Sequence, residues 1–285
     1  MTTQAMTPAW KPARILLPTD GSEYSAGAVR VTAEMARRCG AAVTLTTALP
    51  LDNDLESLGT QDLQAQETAL AQTWLDAAAG EMKAAGIPYK TEVRHAEHPD
   101  VAIVESAREA AADVIVMGRR GKRGLARLMV GHATAKVIGS APCDVLVVPR
   151  AAGFWSRRIL LATDGSAHSA TALQRAVELG VQCQLPVSVL SVVTPGHGEQ
   201  RRDAAQHAVD EAVTALKERG VVADGMVVEG RPDAVIVAQA QERADLIVLG
   251  SHGRTGLLGV LLGSVSERVI GAADSAVLIA VSPAE

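Results

Sequence analysis

The chain has 285 residues, of which 48% are apolar and only 2% aromatic, and its formal net charge is −5. An acidic balance argues against general nucleic-acid binding, which displays a basic face. No apolar run is long enough to span a bilayer, and residues 1–12 show no basic-then-apolar leader pattern, so a cytoplasmic protein without membrane insertion is expected.

In chain order, Ile15 to Pro18 is a short apolar run that ends at Thr19-Asp20-Gly21-Ser22, which predicts a strand and a turn. Ala26 to Arg38 has helical periodicity and stops at Gly40. Val43 to Leu49 reads as a second strand. A helix-prone segment from Gln61 to Ala85 ends at Gly86-Ile87-Pro88, and Tyr89 to Arg94 is a third strand. Pro99 suits the first turn of a helix running to Ala112. Asp113 to Gly118 is a fourth strand, Ala133 to Ile138 is helical, and Val145 to Val148 is a last strand.

The order then repeats. Strands are predicted at Ile159 to Ala162, Val187 to Val193, Val221 to Val228, Asp245 to Gly250 and Ala276 to Val281. Arg158 to Ser166 restates Arg14 to Ser22 almost unchanged, so the chain is a duplication of units of about 140 residues. The divisions expected are a tail 1–12, a first domain 13–150, a linker 151–157 and a second domain 158–285. Phe154 and Trp155 in the linker are expected to cover the seam between the halves. Continuous apolar strands alternating with helices predict a parallel sheet covered on both faces. With so few aromatics, a bound ring would be held by aliphatic side chains and backbone.

In such sheets ligands bind beyond the carboxyl ends of the strands, where the strand order reverses. Both repeated motifs fall there. One is the Thr-Asp-Gly-Ser turn. The other is a glycine cluster, Gly250-Ser251-His252-Gly253, nine residues, then Gly263-Ser264. Gly250, Gly253, Gly256 and Gly259 suggest positive φ and close approach of main-chain N–H groups to an anion. A helix begins at Gly263-Ser264, its unpaired N–H groups facing the same space. Ser264 and Glu267 have the spacing of a capping box, so two readings stand: Ser264 as an N-cap only, or a phosphate held by Ser264, Val265 and Ser266. The loop and its location favour phosphate.

The Gly-2x-Gly-9x-Gly-Ser pattern of residues 250–264, in register with the Thr-Asp-Gly-Ser turn, resembles the universal stress protein family over nearly the whole chain, as a tandem pair. The resemblance implies two Rossmann-like (adenine nucleotide alpha hydrolase-like) α/β domains, each with five parallel strands and helices on both faces, and in many members bound ATP or AMP. It implies that Ala162, Thr163 and Asp164 line the nucleoside and that Val192 meets the adenine. Gly250, Gly253, Gly263, Ser264, Val265 and Ser266 would hold ribose and phosphates, and Arg254 would add a charge-assisted contact. In the first half the corresponding positions are Pro18, Thr19, Asp20, Gly118, Gly121, Gly131 and His132.

That half departs from the pattern. His132 replaces the serine, Ala135 the glutamate and Ala48 the valine, while Arg119, Arg120, Lys122, Arg123 and Arg127 crowd the loop. Either the site suits a more anionic ligand, with His132 as a switchable cation, or it is a degenerate site with a solvated basic loop; a weaker or altered nucleotide site is the preferred reading. Thr134 corresponds to Ser266 and keeps a hydroxyl. Asp20 and Asp164 are expected to cap the following helices. A second role, on ribose or on a phosphate-bound Mg²⁺, stays open. His95 and His98 have HxxH spacing without acidic or cysteine partners in sequence, which argues against a metal site. Cys39, Cys143 and Cys183 read as free thiols.

No Walker A, G-x-S-x-G, G-x-G-x-x-G or HExxH motif is present. The function that the resemblance implies is an ATP- or AMP-binding (or ADP-binding) regulatory stress protein, with Mg²⁺ expected to accompany the nucleotide. The alternatives are a slow ATPase, with at most weak hydrolysis, or an interaction scaffold that binds no nucleotide. The last strands, Val145 to Val148 and Val277 to Ala280, are candidates to pair within one chain as a pseudo-dimer, and a homodimer of chains is a further possibility.

Overall fold

A computed structural model describes residues 10–50, 60–121, 130–196, 198–252 and 262–281. The first half runs β1 (Arg14–Pro18), α1 (Ala26–Cys39), β2 (Ala42–Pro50), α2 (Thr60–Ala84), β3 (Tyr89–Ala96), α3 (Pro99–Glu109), β4 (Val114–Gly118), α4 (His132–Ser140) and β5 (Asp144–Val148). The second runs β6 (Ile159–Ala162), α5 (Ala167–Cys183), β7 (Val187–Val193), α6 (Glu199–Glu218), β8 (Ala223–Glu229), α7 (Pro232–Arg243), β9 (Leu246–Gly250), α8 (Ser264–Ala272) and β10 (Ala276–Ala280). Helix α3 stops three residues short of the expected Ala112. Ala111 takes φ +45°, and the N–H of Ala112 reaches back to the carbonyl of Ala107 at 2.8 Å, a closure that ends the helix.

The described strands form one ten-stranded sheet, in the order β3-β2-β1-β4-β5-β10-β9-β6-β7-β8. Within each half all pairings are parallel. The halves join where β5 and β10 pair antiparallel, Val147 opposite Val277 and Val145 opposite Ile279. This join fixes the geometry of everything below: the carboxyl ends of the two halves' strands lie at opposite edges of the sheet. The amino ends of the second half therefore border the carboxyl ends of the first.

Successive side chains in a strand face opposite ways, and here both faces are buried. Ile15, Leu17, Leu146 and Leu278 enter one core, under α1, α2, α5 and α6; Leu16, Val145, Val147 and Ile279 enter the other, under α3, α4, α7 and α8. Both cores run through both halves. Trp155 lies in the first at 2% exposure, stacked on Phe154 with centroids 4.1 Å apart, and the Arg38 guanidinium sits 4.5 Å from the Phe154 ring centre. The linker aromatics thus cover the seam. Strand order reverses on either side of β1 and of β6, which opens a crevice between the carboxyl ends of β1 and β4 and another between those of β6 and β9.

Candidate functional site

The turns after β1 and β6 are built alike. The Thr163 N–H extends the sheet to the Leu190 carbonyl at 2.9 Å, as Thr19 does to Thr46 at 2.9 Å. Gly165, with φ +74°, donates to Thr163 Oγ1 at 3.2 Å, and Ser166 donates its N–H to Asp164 Oδ1 at 3.0 Å. Gly21, with φ +67°, and Ser22 make the same bonds to Thr19 and Asp20, at 3.2 and 3.0 Å. The aspartates therefore close tight turns and are not the helix caps. In the second half the cap is Ser166, whose hydroxyl accepts from the Ser169 N–H at 3.3 Å. Asp164 lies two residues before that cap and Asp20 six before α1, too early to reach the first free N–H groups of either helix, so each satisfies its own turn instead.

The glycine clusters follow β4 and β9. The Gly263 N–H bonds to the Ser251 carbonyl at 3.0 Å, and Gly131 bonds likewise to Arg119 at 3.0 Å. Gly263 (φ −65°, ψ 140°) is the N-cap of α8 and Gly131 that of α4, and neither helix has a side-chain cap. Ser264 is thus the first helical residue, not the cap, and the expected capping box is not formed: the Glu267 N–H goes to the Gly263 carbonyl at 2.9 Å. The amides of the first turn, Ser264, Val265 and Ser266, have no intrahelical acceptor, which leaves a concentration of N–H dipole at the edge of the sheet. Ser266 is otherwise engaged, its hydroxyl donating to the Gly250 carbonyl at 3.0 Å; Thr134 donates to Gly118 at 3.3 Å in the same way.

Positive φ is not why the described cluster residues are glycine, since Gly118, Gly121, Gly131, Gly250 and Gly263 are absent from the left-handed region. Space is the reason at two of them. A Cβ on Gly250 would lie 2.6 Å from the His168 carbonyl oxygen, and one on Gly118 2.8 Å from that of Tyr24. Each strand end is pressed against the first turn that follows its neighbouring strand.

In the second half, Ala162, Val192 and Val265 are partly buried against the same apolar core, to which the buried Leu262 belongs. Thr163 and Asp164 are part-exposed next to them, whereas Pro18 and Thr19 of the first half are buried. Ala48 stands where Val192 does. His132 is exposed at the first position of α4. Gly253, Arg254, Gly256, Gly259, Lys122, Arg123 and Arg127 lie outside the described residues. His95 makes a 3.4 Å contact with the Thr68 hydroxyl, and among the described residues no group of three or more His, Cys, Asp or Glu could hold a metal ion.

Three features of the site escaped sequence reasoning. First, the indole of Trp74, on α2, lies on the first-half turn: a Cβ on Gly21 would be 2.1 Å from its Cγ. Counting back from the glycines that follow the two helices, Gly86 and Gly220, the matching residue of α6 is Ala208. One of only three tryptophans in a chain so poor in aromatics was the available signal. Second, a Cβ on Gly121 would be 2.6 Å from Asp20 Oδ2, so Gly121 rests directly on that carboxylate. Third, Arg119 does not face a first-half ligand. Its Nη1 donates to the carbonyls of Gly271 at 3.0 Å and Ala273 at 2.8 Å, at the end of α8 in the other half. Burial holds its guanidinium below the usual value, with the like charge of Arg120 adding and Asp274 opposing. In the second half, His168 and His252 pair their rings at 5.2 Å, where the first half has Tyr24 and Arg120.

Comparison with known proteins agrees with this architecture. The family model described as "Universal stress protein family" matches twice, over residues 12–149 and 156–280. A universal stress protein of Mycolicibacterium smegmatis is 28% identical over 208 residues, 68% of this chain and 69% of the relative. Universal stress protein Rv2005c of Mycobacterium tuberculosis is 33% identical over 202 residues, which span 64% of this chain and 65% of the relative, just under two thirds of its length. A universal stress protein from Archaeoglobus fulgidus has the same fold, with a TM-score of 0.75 over 94% of this chain and 97% of its own at 21% identity. With both halves matched and the same two motifs at the same strand ends, the chain belongs to the universal stress protein family as a tandem two-domain member.

Proposed function

We propose that the chain binds an adenine nucleotide, ATP or AMP, in a regulatory stress-response role in the cytoplasm, with the nucleotide held mainly by the second half. The observation that carries this reading is the N-terminus of α8 on Gly263, without a side-chain cap, together with the part-exposed Asp164 after β6 and the part-buried aliphatic side chains of Ala162, Val192 and Val265. Backbone N–H groups suit phosphate, and aliphatic side chains suit a purine. In the first half, by contrast, Trp74 lies on the turn, Gly121 rests on Asp20 and Arg119 is committed elsewhere. Magnesium would enter with the phosphates, and Asp164 would be the carboxylate to meet it or the ribose.

The test is a calorimetric titration of the whole chain with ATP and Mg²⁺. Aspartate is a good N-cap, so Gly263→Asp and Gly131→Asp keep their helices while setting a carboxylate where phosphate would sit. One ATP per chain, lost in Gly263→Asp and kept in Gly131→Asp, is expected. Absence of binding in the parent chain overturns the reading.

A further inference from the structure

Helix α8 is short, nine residues of the second half, and its two ends face different halves of the molecule. Its N-terminus forms the second half's anion-facing edge. Its C-terminus ends beside the carboxyl edge of the first half, because β5 and β10 run antiparallel. There Arg119, the residue directly after the β4 glycine, donates to both terminal carbonyls, Gly271 and Ala273. A cation on these orphaned acceptors satisfies them and complements the helix dipole. Among the described residues the link runs one way only. The residue matching Arg119 in the second half is Ser251, whose hydroxymethyl lacks the reach to grip α4 in return and instead lies 3.3 Å from His252 Nδ1.

We propose that Arg119 is a positioning residue for the second half's nucleotide site, coupling the first half's glycine loop to α8. This rests on the nucleotide reading above. Held at its C-terminus, α8 presents its first-turn amides in fixed position.

The experiment compares the parent chain with Arg119→Ala and Arg119→Lys by amide hydrogen exchange and by ATP titration. A merely local cap would fray only the last turn of α8. The proposal requires more: in Arg119→Ala the exchange at Glu267 and Arg268, the first amides bonded within the helix, speeds up as well, and ATP affinity falls about fivefold or more, the low end of typical couplings between sites. Arg119→Lys, keeping the charge, recovers part of both effects. Faster exchange confined to residues 269–272, with ATP affinity unchanged, overturns the coupling. Should the parent bind no ATP, the nucleotide reading fails separately, and exchange at residues 267–268 decides the mechanical link by itself.

Discussion

Asp144 and Arg175 meet across the seam between the halves, Arg175 Nε donating to Asp144 Oδ2 at 2.6 Å. The carboxylate also accepts the Trp10 indole N–H at 2.9 Å and the Val281 N–H at 3.0 Å, and its side chain is only 2% exposed. Burial nonetheless pushes the Asp144 carboxyl above its usual range, against the pull of Arg175, Val281 and Trp10. Desolvation thus consumes much of the Coulombic gain, so the pair costs most when half of it is missing. Arg175 is part-exposed and also donates to Glu178 Oε2 at 3.0 Å, so Asp144→Ala leaves it that partner but strips the Trp10 and Val281 N–H groups of their acceptor, and is expected to lower stability by about 2–4 kcal/mol. Asp144→Asn, which keeps an acceptor oxygen for them, should lose less than Asp144→Ala. Denaturant unfolding of the three proteins checks this, and Asp144→Asn at least as unstable as Asp144→Ala would sink it.

Much of this architecture is legible in the sequence because it repeats. The apolar runs at 15–18 and 159–162, each followed by Thr-Asp-Gly-Ser, locate the strands, the turns and the crevice without any tertiary information. What could not be read depends on contacts that local patterns do not encode. Ser264 and Glu267 have capping-box spacing, but the chain enters the helix one residue earlier, through Gly263. Arg119 reads as part of a basic loop, and only the antiparallel β5–β10 join shows that the end of another half's helix lies in reach. The glycines of the cluster suggest unusual backbone angles, whereas Gly250 is required by the carbonyl of His168.

Acid should weaken the molecule partly through Glu34. Hydrogen bonds from Arg37 and Arg38 take its carboxyl down from 4.5 to about 2. Because the folded value is the lower one, this stabilisation is present above 4.5 and is lost as the pH falls toward 2. Both arginines are largely exposed, at 58% and 50%, so solvent screening limits the effect to about 0.5–1 kcal/mol. Glu34→Gln should be less stable than the parent by this amount at pH 7 and equal to it near pH 2. Urea midpoints at both pH values test this; a constant difference between the two proteins would discard it.

The Cys143 thiol should be inert in the native state. Burial, reinforced by Asp144 and Asp113, pushes it up to about 12. The thiolate is the reactive form, and at pH 8 such a shift cuts its population on the order of a thousandfold relative to a free cysteine. Iodoacetamide labelling followed by mass spectrometry should therefore modify Cys143 in urea but not in buffer. Rapid native labelling at this position would show that the site opens or that its thiol ionises readily.

Gly21 and Gly40 share nearly the same backbone angle, φ +67° and φ +70°, but not the same surroundings. Nothing lies within 4 Å of a Cβ built on Gly40, while one on Gly21 would be 2.1 Å from Trp74 Cγ. Gly40→Ala should therefore cost only the strain of a left-handed residue, about 1–2 kcal/mol. Gly21→Ala should cost that plus about 1–3 kcal/mol for overpacking against the indole. If the indole is the cause, Trp74→Ala combined with Gly21→Ala should return much of the second contribution, because the two changes act on one contact and are not additive. Thermal or urea unfolding of the Gly40, Gly21 and Trp74 variants and the double variant measures each contribution. Equal losses for the two glycines, or strict additivity with Trp74→Ala, would show that the indole does not press on the first-half turn.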